Sequence, residues 1–172
     1  MSSFPKLIPA FTARIPIRAA DAVGSSKGGL NLVRFVSVDE GHGGSLVSEP
    51  GYPVAVDAQF VHGADYIRPE DDGKRLRLNV NSVLKQKGSD DALLNYTYTG
   101  LIEITDEIAK VLSGAPGAAS TPQGQVFTQV NFESGHPSLK VLGTKLYVAA
   151  GRFIVEAGQP VIVEYKISEV SV

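Results

Sequence analysis

Seven neutral amides stand inside stretches that otherwise read as β-strand: Gln59, Asn79, Asn81, Asn95, Gln125, Gln129 and Asn131. Asn is depleted in strands and suits turns. A solvent-facing strand is served as well by Thr, Lys or Glu, whereas an enclosed polar face needs groups that donate and accept without bringing charge into a low dielectric. Such a lining fits a ligand rich in carbonyl and hydroxyl groups. Around the amides lie side chains that could act on it: Arg77 or Lys145 would stabilise developing negative charge, Tyr98 would polarise a carbonyl, and Asp65, Glu133 or His136 would move protons. The candidate catalytic set is therefore Arg77, Tyr98, Glu133, Asp65 and Lys145. The candidate binding set is Arg34, Gln59, His62, Tyr66, Asn79, Asn81, Tyr96, Gln129, Asn131 and His136. The same alternation also fits a one-sided sheet, with Arg77, Asn79 and Asn81 in water and the tyrosines as core or cross-strand partners. Arg34 shares parity with Leu30, Leu32, Val36 and Val38, so it needs a carboxylate partner or a ligand.

Other chemistries are excluded or unsupported. The chain of 172 residues has no Cys, which removes disulfides, thiolate nucleophiles and cysteine metal sites. There is no Gly-x-Ser-x-Gly elbow, P-loop, dinucleotide fingerprint or His-Glu-x-x-His. The loop Gly41-His42-Gly43-Gly44-Ser45 follows a strand without opening a helix and lacks the setting of a phosphate cradle. His42, His62 and His136 are far apart in sequence, and Glu70-Asp71-Asp72 is most simply a solvated turn; no metal and no cofactor are expected. With 16 Lys plus Arg against 18 Asp plus Glu, the net charge is −2, which offers no excess positive field for nucleic acid. Prolines and arginines interrupt the first twenty residues, and no later run approaches the length of a membrane span, so no signal peptide and no membrane association are read and a cytoplasmic protein is expected.

The elements that must position these groups are mainly strands. Leu76, Leu78 and Val80 alternate with Arg75, Arg77, Asn79 and Asn81; Phe11, Ala13, Ile15 and Ile17 alternate with Thr12, Arg14 and Arg18; Val161, Val163, Tyr165 and Ile167 alternate with Glu164, Lys166 and Ser168. Further strands are expected at 30–38, 54–62, 93–99, 126–132 and 145–155, bounded by turn formers. One helix is expected over 105–112, with Thr105 as N-cap, Asp106 and Glu107 in the first turn and Gly114 past its end. The low-complexity stretch 113–124 then reads as a flexible connector or a lid. Open edges on so long a sheet invite aggregation, so closure is favoured. The expected fold is all-β: one antiparallel barrel domain over 1–172, with eight to nine strands and one short helix. Phe11, Ile15 and Ile17 are candidates for a homodimer surface.

Several segments together resemble a known family. They are Gly63-Ala64-Asp65-Tyr66, Asp72-Gly73 leading to Leu78-Asn79-Val80-Asn81, Asn95 to Gly100, Phe132-Glu133-Ser134-Gly135, Leu142 to Arg152, and Tyr165 to Val170. In order and spacing the chain is similar to the domain-of-unknown-function family 3237, whose members are expected to form small lipocalin-like β-barrels. The chain departs from the family pattern at Asn79 and Asn81, where an Asp and an Arg are usual, at Tyr66, where Trp is usual, and at Val141-Leu142-Gly143 in place of Trp-Leu-Asn. A charged pair is thus neutral here and no catalytic pair carries over. The resemblance implies a cofactor-free cyclase, isomerase or pericyclase acting on a carbonyl-rich polyketide- or terpenoid-type intermediate in secondary-metabolite biosynthesis. The alternative is a barrel that binds or carries a small hydrophobic molecule unchanged.

Overall fold

The computed structural model describes residues 3–24, 28–41 and 43–172. Its strands are β1 (Lys6–Pro16), β2 (Asp21–Gly24), β3 (Leu30–Arg34), β4 (Ser45–Ser48), β5 (Asp57–Pro69), β6 (Arg75–Gln86), β7 (Leu93–Glu103), β8 (Val126–Glu133), β9 (Tyr147–Ile154) and β10 (Ile162–Ser171), with one α-helix, α1 (Asp106–Ser113), among the described residues. The strands form one antiparallel sheet in the order β2-β3-β5-β4-β1-β10-β9-β8-β7-β6, and pairing of β5 with β6 closes it. Eight strands make the closed barrel, and β2 and β3 are the extra pair. Strand β5 is long enough to serve two partners on one edge: β4 at Asp57–Gln59 and β3 at Ala64–Ile67. The two strands not expected, β2 and β4, have four residues each, too few for a period-two pattern to declare itself.

Alternation decides what enters the barrel. On β6 it is Leu78, Val80, Ser82 and Leu84, on β7 Leu94, Tyr96 and Tyr98, and on β8 Val126, Thr128, Val130 and Phe132, all buried. Aromatic rings fill the middle: Phe11, Tyr52, Phe132 and Tyr147 meet at one end, and Phe35, Phe60 and Tyr96 continue the stack. Edge-to-face contacts of this kind add about 0.5–1.5 kcal/mol per pair beyond burial. Large rings fit because small residues face them: a Cβ on Gly151 would lie 2.6 Å from Cε1 of the Tyr165 ring. Phe11 and Ile15 are fully buried, so the expected dimer surface along β1 is interior core instead.

Strand β5 changes phase once. A bulge between Phe60 and His62 shifts its register against β6, so Phe60 faces inward opposite Leu84 while Gly63 and Asp65 face inward opposite Ser82 and Val80. Without that extra residue, the inward positions after Phe60 would be His62, Ala64 and Tyr66. Instead His62 and Tyr66 are exposed and Asp65 is buried. Val33 on β3 and Phe35 just beyond its end face inward, which leaves Arg34 outside. Its partner is Asp21 on β2, with Nη2 to Oδ2 at 3.0 Å.

The expected helix forms. Thr105 Oγ1 accepts the Ile108 N–H at 3.3 Å, and Gly114 closes the last turn with φ of +64°. Ile108 and Val111 are its buried face. The stretch after it is tied to the barrel end: the Thr121 N–H donates to the Phe153 carbonyl at 2.9 Å, and the Phe153 N–H donates to Thr121 Oγ1 at 3.1 Å. Among the described residues no helix is long and apolar enough to cross a membrane.

Candidate functional site

Beneath α1 the barrel core leaves a small enclosed space of about 30 Å³, bounded among others by Ile17, Phe35, Leu78, Leu112, Phe153 and Val163. Three polar side chains line this apolar chamber: Asp65, Tyr98 and Tyr165. The volume is enough for a water or two. Asp65 is the one acidic or basic side chain lining this chamber among the described residues; the other buried carboxylate, Glu164, has opposite parity on β10 and pairs with Arg14 and Arg152 on the outer surface. Among the described residues no cation pairs with Asp65. Burial in this low-dielectric chamber raises its pKa from the ordinary 3.8 to about 7, opposed by a hydrogen bond from the Asn79 backbone N–H to Oδ1 at 2.9 Å.

That hydrogen bond alters the sheet. Pairing of β5 with β6 runs through Asp65 opposite Val80 and resumes at Arg68 opposite Arg77. In the interval the Asn79 N–H bonds the Asp65 carboxyl, so the side chain has replaced a main-chain acceptor in the ladder. Orientation of the carboxyl is therefore set by backbone as well as by packing.

The two phenols stand against each other, ring centroids 5.1 Å apart at 61°. Desolvation pushes the Tyr98 pKa well up, and the neighbouring Tyr165, the Asp65 charge and donation to Tyr165 push the same way. Tyr165 is also raised by burial, although the hydrogen bond it accepts from Tyr98 works against this. Both remain protonated donors. Tyr96 lies beside Tyr98, its ring centroid 5.4 Å away, and is fully buried. Its hydroxyl and that of Thr128 have no protein hydrogen-bond partner. Two buried hydroxyls without a partner among the described residues amount to unspent hydrogen-bonding capacity in the interior.

Of the residues singled out from sequence, Asp65, Tyr96 and Tyr98 are brought together inside. Tyr165 completes the group and was missed as a site residue, although its place on the apolar parity of β10 between Val163 and Ile167 marks an inward phenol. Most of the amides are not enclosed, although the side-chain oxygens of Asn95 and Gln125 are buried without a partner among the described residues. Asn79, Asn81, Gln129 and Asn131 are exposed on the outer face, as are Arg77 and Glu133, because Leu78, Val80, Val130 and Phe132 occupy the inward positions of the same strands. The one-sided-sheet alternative describes these strands. Gln59 is also outward, between the inward Ala58 and Phe60. Lys145 lies at the opposite end, where it donates to Glu169 Oε1 at 2.7 Å; Glu169 Oε2 accepts from the Tyr52 hydroxyl at 2.6 Å, which lies 2.9 Å from that of Tyr147. This closed network holds Glu169 below the usual carboxylate range through hydrogen bonds from Lys145 and Tyr52. His136 bonds Ser138 through Nδ1 at 2.8 Å near a loop, far from His62, and His42 lies outside the described residues.

The family model for "Protein of unknown function (DUF3237)" matches residues 5–170. The chain belongs to the DUF3237 family. Solved structures share the fold: a conserved protein of unknown function from Rhodopseudomonas palustris is 18% identical with a TM-score of 0.74, covering 99% of this chain and 100% of that one. A β-barrel-like protein from Acinetobacter baumannii AYE is 14% identical with a TM-score of 0.69, covering 99% of each chain. A protein of unknown function from Clostridium acetobutylicum ATCC 824 is 17% identical with a TM-score of 0.71, covering 98% and 100%. At these identities the likeness concerns the barrel alone. No curated protein matches the chain.

Proposed function

We propose that this DUF3237 barrel is a cofactor-free isomerase or cyclase that moves a proton on a carbonyl compound held beneath α1. The observation that carries the reading is the Asp65 carboxyl, buried among apolar walls with no cation paired to it among the described residues and poised with a pKa of about 7. Folding alone favours an apolar side chain at such a position, and a retained ionisable group of this kind is a mark of chemistry. A group titrating near neutrality both takes and returns a proton efficiently at working pH.

The roles follow from the charge states. Ionised Asp65 removes a proton from the carbon next to a substrate carbonyl, and the electron pair moves onto the carbonyl oxygen. Tyr165, whose oxygen accepts from Tyr98, donates its own O–H to that enolate oxygen in a water-poor space, where such a donor acts most strongly. The now neutral Asp65 returns the proton to a different carbon, which shifts the double bond, or to the oxygen formed when the enolate carbon closes on a second carbonyl. Entry of an organic substrate requires the space to widen, since it holds only water-sized guests; Leu112 of α1, which lines it and is 38% exposed, stands between it and the surface. The family resemblance supports a polyketide- or terpenoid-type intermediate as substrate, processed in the cytoplasm.

The test is deuterium uptake from D2O into a 1,3-dicarbonyl polyketide mimic, followed by NMR. Asp65→Asn is expected to lose roughly 10²–10⁴ in rate and Tyr98→Phe and Tyr165→Phe smaller factors, while Glu133→Gln retains wild-type rate. Conversion by wild type to an isomeric product that carries no solvent deuterium indicates a pericyclic step without a base. A compound that binds tightly yet exchanges no faster with wild type than in protein-free buffer refutes catalysis and leaves a carrier.

A further inference from the structure

Outside the barrel wall, over the interval where β5 and β6 part, lies a groove of about 820 Å³. That is within the ~300–1,000 Å³ of small-molecule sites. It is separated from the interior chamber by Leu78, which borders both. Two rows of outward side chains build it. One runs from Tyr66 through Asn79 and Thr99 to Gln129, following the register of β6, β7 and β8. The other runs from Arg68 through Arg77 and Leu101 to Phe127.

The rows differ in chemistry. Asn79, Thr99 and Gln129 are uncharged, and each both donates and accepts, which suits hydroxyl and carbonyl groups. Phe127 and Tyr66 are 57% and 46% exposed, an unusual outlay of aromatic surface on either side of a polar floor. Arg77 is already paired, with Nη2 2.5 Å from Glu70 Oε1. Arg68 is different: Nη1 donates to the Gly29 carbonyl at 3.2 Å, and among the described residues no carboxylate lies within 4.0 Å of it. A guanidinium fork facing an open groove is a natural carboxylate receptor.

We infer that this groove is a binding site for a hydroxylated aromatic carboxylate. The acid pairs with Arg68, the ring lies on Phe127 or Tyr66, and its hydroxyl or carbonyl groups bond Asn79, Thr99 and Gln129. The site lies on the outer face and does not depend on the proton-transfer reading of the interior.

The probe is 1-hydroxy-2-naphthoate, which is fluorescent and can be titrated in a protein that has no Trp. Saturable binding is expected, with backbone amide shifts in two-dimensional NMR confined to β5–β8. Arg68→Gln should weaken it roughly ten- to hundredfold by removal of a charge-assisted pair, Arg68→Lys should recover part of the loss, and Phe127→Ala should weaken it several-fold. 1-Naphthol, which lacks the acid, should be indifferent to Arg68→Gln. All these residues are on the surface, and unchanged circular dichroism confirms the fold. Absence of saturable binding at millimolar probe, or binding that Arg68→Gln and Phe127→Ala leave untouched, overturns the inference. Shifts confined to the interior residues around Tyr98 and Tyr165 would do so as well.

Discussion

Replacing Asp65 by Asn separates the cost of a buried carboxyl from every other ionisation in the protein. The pKa is about 7 in the folded chain against 3.8 ordinarily, a gap of roughly three pH units. At ~1.36 kcal/mol per unit this amounts to about 4 kcal/mol. Because the folded value is the higher one, the native state holds the proton after the unfolded chain has released it. The stabilisation is complete below pH 4 and is lost as the pH rises through 7, at up to about 1.4 kcal/mol per pH unit. Glu49 and Glu169, whose pKa values are lowered by hydrogen bonds, act oppositely and lose stabilisation as the pH falls. They are common to both proteins and cancel in the difference. Asn keeps the acceptor for the Asn79 N–H and leaves its NH2 without a partner, an offset of about 1–3 kcal/mol that does not vary with pH. Urea unfolding at half-unit steps from pH 4 to 8, followed by near-ultraviolet tyrosine dichroism, gives both curves. The variant should gain about 4 kcal/mol relative to wild type across that range. A difference that stays flat within about 1 kcal/mol would show that Asp65 is ionised throughout, and the proposed proton transfer would lose its basis.

Other outcomes follow from single contacts. Gly151→Ala drives a methyl to 2.6 Å from the Tyr165 ring and should cost about 1–3 kcal/mol, seen as a lower Tm in calorimetry. Thr105→Ala removes the N-cap of α1 and should cost about 1 kcal/mol, with faster hydrogen exchange confined to α1 and the segment tied down by Thr121. Glu164→Gln leaves Arg14 and Arg152 without their shared carboxylate; because both arginines are about two-fifths exposed, the loss should be only about 1–2 kcal/mol in urea unfolding.

Most of the barrel was legible because alternation, turns and caps are local. Leu78 and Val80 against Asn79 and Asn81 mark a strand with one apolar face, and Thr105 with Gly114 marks both ends of α1. The site was less legible, for two reasons. Alternation sorts residues into two faces, but the composition of a polar face does not reveal whether a ligand or water meets it; in β6 and β8 the amides meet the outside. A bulge adds a residue without a signature of its own, and the one after Phe60 exchanges His62 and Tyr66 for Asp65 as the interior groups of β5.

By itself, the amino-acid order determined an all-β chain, its seven long strands, its helix and its cysteine-free chemistry, since each depends on neighbours a few positions apart. Only the tertiary structure decided that Asp65, Tyr98 and Tyr165 share one small chamber, and that Arg68 and Phe127 share one groove. Those meetings depend on the register of β5 against β6 and on barrel closure, which sum pairings across the whole chain. The shifted pKa of Asp65 is a property of that enclosure, because the same carboxyl in an open strand would be an ordinary one.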